Sequence, residues 1–177
     1  TVKVWLNRDQ DMCFTGKRHA FHTEFEVAHD AQGALLALRA HLVSDGGFST
    51  DLSRAILDRA LFHADNAYFI PNIELTGRVA KTNLPSNTAF RGFGGPQGMA
   101  VIEEIMSRIA ERLDLDASAV RERNFYGSSP RDITPYGQHV CDHRLPRIWS
   151  ELKASSNYEL RLSEIAAFNQ SSPSKKR

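Results

Sequence analysis

Gly92, Gly94 and Gly95 lead directly into Pro96, and this fixes the chain at one point more tightly than any other feature. Proline at the first helical position has no N–H to lose, and Met99, Ile102, Met106, Ile109 and Leu113 then recur at three- and four-residue spacing. The pattern predicts a helix from Pro96 with one apolar face, opened by a glycine loop. Backbone N–H groups and the positive end of a helix dipole converge there, so the loop can attract an anionic or oxo ligand, although a plain tight turn has the same composition. Phe90 and Phe93 bracket Arg91 and Gly92. Either they pack in a core, or they offer an aromatic face beside backbone donors, which suits a flat heteroaromatic substrate held against an oxo-bearing centre.

Periodicity organises the rest. Val2–Leu6 and Phe21–Ala28 alternate as strands, Asp30–Gly33 supplies a turn, and Ala34–Val43 reads as the second strand of a hairpin with Leu36, Leu38, Ala40 and Leu42 on one face. Gly46-Gly47 is expected to break that strand. Thr50-Asp-Leu-Ser is expected to cap a helix running through Leu52, Ile56 and Ala60 toward His63. Ile73–Thr82 reads as a further strand, Asp116 as the cap of a short helix to Asn124, and Pro146–Ala154 and Asn157–Asn169 as two C-terminal helices, the last with Ser156 and Glu159 as a capping box. The predicted fold class is α+β: a mixed or antiparallel sheet of N-terminal and central strands, covered by the Pro96 helix and the C-terminal helices. One domain is expected over residues 1–169, with 170–177 as a flexible tail.

Twenty-two Lys and Arg against 21 Asp and Glu give a net charge of +1, which supplies no electrostatic reason for a nucleic-acid or membrane-surface partner. The most apolar stretch, Ala34–Val43, contains Arg39 and His41 and falls short of the roughly 20 residues a membrane span needs. Two cysteines, Cys13 and Cys141, fit a reducing, cytoplasmic setting with both thiols free. His139, Cys141 and His143 are zinc-type ligands two residues apart, but a closed site needs a fourth ligand that the sequence does not visibly supply, so no metal is assigned to them. A start on Thr-Val-Lys-Val-Trp, without Met or a charged leader, leads us to expect a piece of a longer polypeptide.

The run Phe90-Arg-Gly-Phe-Gly-Gly-Pro-Gln97 resembles the molybdenum-cofactor-binding part of the xanthine dehydrogenase and aldehyde oxidase family. The likeness extends through Arg8-Asp-Gln-Asp-Met12, Thr15-Gly-Lys-Arg-His19, Arg59-Ala-Leu-Phe-His63, Ile70-Pro-Asn72, Lys81-Thr-Asn83 and Thr134-Pro-Tyr-Gly-Gln138, and leans toward its xanthine-oxidising branch. The resemblance implies a molybdenum centre on a pterin dithiolene that delivers a water-derived oxygen to an sp2 carbon of a purine such as xanthine or hypoxanthine. Electrons then leave through 2Fe-2S clusters to FAD, on another domain or subunit, and on to NAD or oxygen. It implies that Phe90, Arg91 and Gly92 contact the cofactor, the amides reaching its oxo ligand, that Phe93 stacks on the purine, and that Arg59 is both substrate-binding and catalytic, stabilising charge on the ring.

A guanidinium at Arg59 favours a polar purine over an apolar aldehyde, though an aldehyde or other N-heterocycle oxidoreductase is the nearer alternative. Without the resemblance Arg59 would read as an ordinary helix-surface residue. The family's general-base glutamate, second glycine-rich loop and second stacking aromatic have no counterpart here. The rest of the molybdenum subunit is therefore an expected partner, and the isolated chain is expected to be inactive and unable to keep the cofactor. A reading of another class is a non-catalytic interaction module that keeps the fold alone.

Overall fold

The computed structural model describes residues 1–171, in two compact units, one from Thr1 to Val140 and one beginning at Cys141. In the first unit a three-stranded mixed sheet has the order β1 (Phe21–His29), β2 (Leu35–Gly47), β3 (Ile73–Lys81), with β1 antiparallel and β3 parallel to β2. A parallel neighbour needs a crossover. It is helical: α2 (Ser53–Phe62) carries the chain from β2 to β3 and buries Ile56, Leu57 and Ala60. The helix predicted at Pro96 is α3 (Gly95–Leu113), and it buries Ile102, Ile105, Met106, Ile109 and Ala110. The α+β class stands, and within this unit the helices over the sheet are α2 and α3.

Several local expectations are corrected. Residues Val2–Leu6 form no strand. Among the described residues they have no ladder to join, and Val2, Val4 and Trp5 are exposed. The first element is instead α1 (Arg8–Phe14), capped by Asn7, whose side chain accepts from the Gln10 N–H while the Gln10 side chain accepts from the Asn7 N–H. A bulge where His29 pairs with Leu35 pushes Leu36 outward, so the buried face of β2 runs through Leu35, Leu38, Ala40 and Leu42. Nor does Gly46-Gly47 break β2, because parallel pairing with β3 carries the ladder to Gly47 opposite Lys81.

At α2 the expected side-chain cap is absent. The N-cap is Leu52, without a side-chain hydrogen bond, and the Ser53 hydroxyl lies 2.7 Å from His19 Nε2 instead. That pair pins the segment before β1 to the first turn of α2, and both residues are buried. Asp116 does cap α4 (Ala117–Asn124), accepting from the Ala119 N–H. Buried Asn124 ties α4 to the β1–β2 hairpin: its amide donates to Gly33 O and its oxygen accepts from the Leu35 N–H, each at 2.8 Å.

In the second unit α5 (Leu145–Ser155) is followed by α6 (Tyr158–Ser171). The expected capping box does not form. Ser156 is the C-cap of α5 and its hydroxyl donates to Lys153 O, while Glu159 pairs with the Lys153 ammonium at 3.2 Å. Gln170 and Ser171, read as tail, close α6; the rest of the expected tail, 172–177, lies outside the described residues. Among the described residues no helix is long and apolar enough to cross a membrane, and Cys13 and Cys141 present exposed thiols.

Two glycines let α2 and the start of α3 meet backbone to backbone. A Cβ on Gly94 would stand 2.0 Å from Ile56 O, and one on Gly98 would stand 2.0 Å from Ala60 O. Both acceptors are backbone, so relief requires the helices to separate. Gly98→Ala gains about 1 kcal/mol of helix propensity but must displace a packed helix, and the clash wins. The expected net loss is about 2 kcal/mol in urea denaturation, against less than about 0.5 kcal/mol for Gly127→Ala, where an added Cβ meets nothing within 4 Å.

Burial holds the His19 imidazole below its ordinary pKa, and the nearby carboxylates of Asp45 and Asp51 pull the other way without outweighing it. Folding therefore favours the neutral ring. Its contribution to stability is complete above the unfolded value of about 6.5 and is lost as pH falls below that toward the folded pKa. The melting temperature of the wild type should fall further than that of His19→Gln between pH 7.5 and 5.5. Equal falls would show that His19 does not carry this dependence.

Candidate functional site

The Phe90–Gly95 loop is two turns in tandem. The Phe93 N–H donates to Phe90 O at 2.8 Å and the Gly95 N–H to Gly92 O at 2.9 Å, which consumes those two donors inside the loop. Gly92 has φ +93°, Phe93 +49° and Gly94 +95°. A positive φ at a bulky residue such as Phe93 is costly, and it persists only because the turn on either side determines it. The residue is half-buried, whereas Phe90 and Arg91 are exposed.

Four of the loop's backbone donors remain, at Phe90, Arg91, Gly92 and Gly94. Neither the Arg91 nor the Gly92 N–H has a hydrogen-bond acceptor among the described residues, and both stand just before α3, where the helix dipole is positive. Gly92 also has no room for a side chain, since a Cβ there would lie 2.5 Å from Pro96 Cγ. The result is a small, positively polarised ledge of N–H groups open to an incoming oxo or anionic group.

Arg59 lies on α2, in the stretch that packs against this loop. The backbone of Ile56 and Ala60, on either side of Arg59, receives Gly94 and Gly98, and His63, one turn on, lies 2.8 Å from where a Gly95 Cβ would be. Close backbone contact thus fixes the loop to the very stretch of helix that carries Arg59. The Arg59 side chain is exposed, and its guanidinium makes no hydrogen bond or ion pair among the described residues. A guanidinium with unused donors can bind an electron-rich exocyclic oxygen and stabilise charge there.

An apolar cavity of about 350 Å³ opens beside α2, lined by Leu61, Phe62, Leu75, Pro135 and Tyr136 among others. It takes in none of Arg59, Phe90, Arg91, Gly92 or Phe93. Among the described residues no three His, Cys, Asp or Glu side chains are grouped to hold a metal ion.

Local pattern missed Arg18 and Gln97. The Arg18 guanidinium donates to Arg91 O at 2.6 Å and lies 4.4 Å from the centre of the Phe90 ring; Gln97 meets Arg18 at 3.4 Å and His19 O at 3.3 Å. These partners lie 72 or more residues apart in sequence, so no spacing rule could find them. The only available signal was that Thr15–His19 shares the same family resemblance as the loop.

Residues 1–125 match the family model described as the molybdopterin cofactor-binding domain. The chain is 49% identical over 176 residues to the xanthine dehydrogenase/oxidase of Mus musculus, covering 99% of this chain and 13% of that protein. It is 41% identical over 169 residues to a nicotinate hydroxylase of Emericella nidulans, covering 95% and 12%. The aldehyde oxidoreductase of Desulfovibrio gigas superimposes with a TM-score of 0.82 at 30% identity, over 92% of this chain and 17% of that one. The chain thus spans about an eighth of the length of the curated relatives it matches. With a matched model over most of its length, the chain belongs to the molybdopterin cofactor-binding domain family.

Proposed function

We propose that this chain forms one wall of the active site of a molybdenum hydroxylase that oxidises xanthine or hypoxanthine. The observation that carries the reading is the pair of N–H groups without acceptors at Arg91 and Gly92, in a loop locked by Gly94 and Gly98 onto the stretch of α2 that bears Arg59. The residues fit the molybdenum-pterin group: unpaired backbone donors and a side-chain-free Gly92 are what close approach of an oxo ligand requires. When bound, that group supplies the oxygen given to the substrate carbon and takes up the electron pair.

Everything else falls to the chain. Arg91 and Gly92 would hold the oxo ligand through their N–H groups, and Phe90 would flank it. Phe93 offers a ring to one face of a flat purine. Arg59 donates to an exocyclic purine oxygen and stabilises negative charge as it develops on the ring. The general base, a second glycine-rich loop and a second stacking ring come from the remainder of the parent protein, as do the 2Fe-2S clusters and FAD that carry electrons to NAD or oxygen.

A second reading keeps the family and changes the substrate to an aldehyde or another N-heterocycle, and the resemblance to an aldehyde oxidoreductase and to a nicotinate hydroxylase favours it. The unpaired guanidinium of Arg59 speaks for the purine, because an aldehyde substrate leaves its remaining donors unused. Removing one charge-stabilising donor costs about 3 to 4 kcal/mol in the transition state. In the molybdenum-loaded parent, Arg59→Ala should therefore lower xanthine turnover by about 10²- to 10³-fold, and wild-type turnover would refute the role. The isolated 177-residue chain should hold no molybdenum after gel filtration and should not oxidise xanthine, as metal analysis and a dye-reduction assay would report.

A further inference from the structure

Residues Phe90–Phe93 form a β-turn with φ positive at Gly92 and not at Arg91, the pattern of a type II turn. The central peptide of such a turn, here Arg91–Gly92, can rotate as a plate into the type I form, because glycine occupies either sign of φ. Planarity of the trans peptide sets its carbonyl and its N–H antiparallel. Whatever fixes the direction of Arg91 O therefore fixes the direction of the Gly92 N–H.

Arg18 does this. Its Nη2 donates to Arg91 O at 2.6 Å, its guanidinium plane covers the Phe90 ring at 4.4 Å, and Nη1 reaches Gln97 Oε1 at 3.4 Å. Gln97 in turn donates to His19 O at 3.3 Å, which returns the link to the segment that carries Arg18. Arg18 is half-buried, and His19 beside it is held by Ser53 of α2. The guanidinium thus grips both ends of the plate's surroundings, the carbonyl itself and the ring that precedes it.

We propose that Arg18 is a positioning residue that holds the Arg91–Gly92 peptide in the orientation turning the Gly92 N–H away from Arg18 and toward the oxo group of the cofactor. The proposal rests on the molybdenum hydroxylase reading. Arg18 itself touches neither cofactor nor substrate; it acts through the peptide plate. Lysine keeps the charge and one donor but not the planar stack on Phe90, so it replaces arginine only in part.

The test uses the full-length parent holoenzyme as wild type, Arg18→Lys and Arg18→Met. The readouts are molybdenum per protein, the molybdenum electron paramagnetic resonance spectrum, and kcat and KM for xanthine. Loss of one charge-assisted hydrogen bond at the donor plate should lower kcat about 10-fold in Arg18→Met. KM should stay near wild type, the resonance spectrum of the retained molybdenum should shift, and Arg18→Lys should fall between the two.

A wild-type spectrum and kcat in Arg18→Met would overturn the proposal. If Arg18→Met does not fold, Arg18→Lys decides alone, a shifted spectrum supporting the proposal and an unchanged one overturning it. A wild-type parent without molybdenum would overturn the functional reading and this proposal with it, whereas a loaded wild type indifferent to Arg18 overturns this proposal alone.

Discussion

The backbone contact between α2 and the first turn of α3 is the constraint on which the rest depends. Ile56 O and Ala60 O come so close to Gly94 and Gly98 that only glycine fits at either position. Side chains there would set the helices at an ordinary packing distance of about 8–10 Å and move the loop away from Arg59. With glycine in place, the stretch of α2 that carries Arg59 and the loop that opens α3 are registered by hard backbone contact rather than by flexible side chains.

Around that joint, the polar contacts sit where the apolar packing stops. Asn124 satisfies the buried ends of the β1–β2 hairpin, and Glu103 on α3 accepts from Tyr68, Asn66 and Arg121. Burial and this carboxylate push the Tyr68 phenol far above its usual range, so it stays a donor at any physiological pH. These bonds keep α3 and α4 from sliding, and any slide of α3 would carry the loop with it. The loop's own turns are less secure, because Gly92 lets a peptide rotate; the Arg18 grip supplies the missing restraint from outside the loop.

Much of this was legible in the sequence where a short-range rule had force. Period-two alternation placed β1, β2 and β3, Pro96 after glycines placed α3, and Asp116 placed the cap of α4. Alternation alone misread Val2–Leu6, because a strand exists only beside a partner and the pattern says nothing about partners. Alternation puts Leu36 on the wrong face because a bulge reverses the pattern without leaving a mark in composition. Ser53 reads as part of a cap, yet its hydroxyl meets His19, 34 residues away. For the site, the residue types at Phe90–Gly95 and Arg59 carried the resemblance, but the close approach of α2 and the reach of Arg18 are long-range facts that only the folded chain contains.

The central claim, that Arg59 and the amide ledge form a wall built for a purine, is tested most directly by the ratio of kcat/KM for xanthine to that for a simple aromatic aldehyde. The measurement belongs on the full-length parent complex loaded with molybdenum. The account predicts a ratio well above one; a ratio well below one would contradict it, leaving the family intact but making Arg59 structural and the substrate an aldehyde.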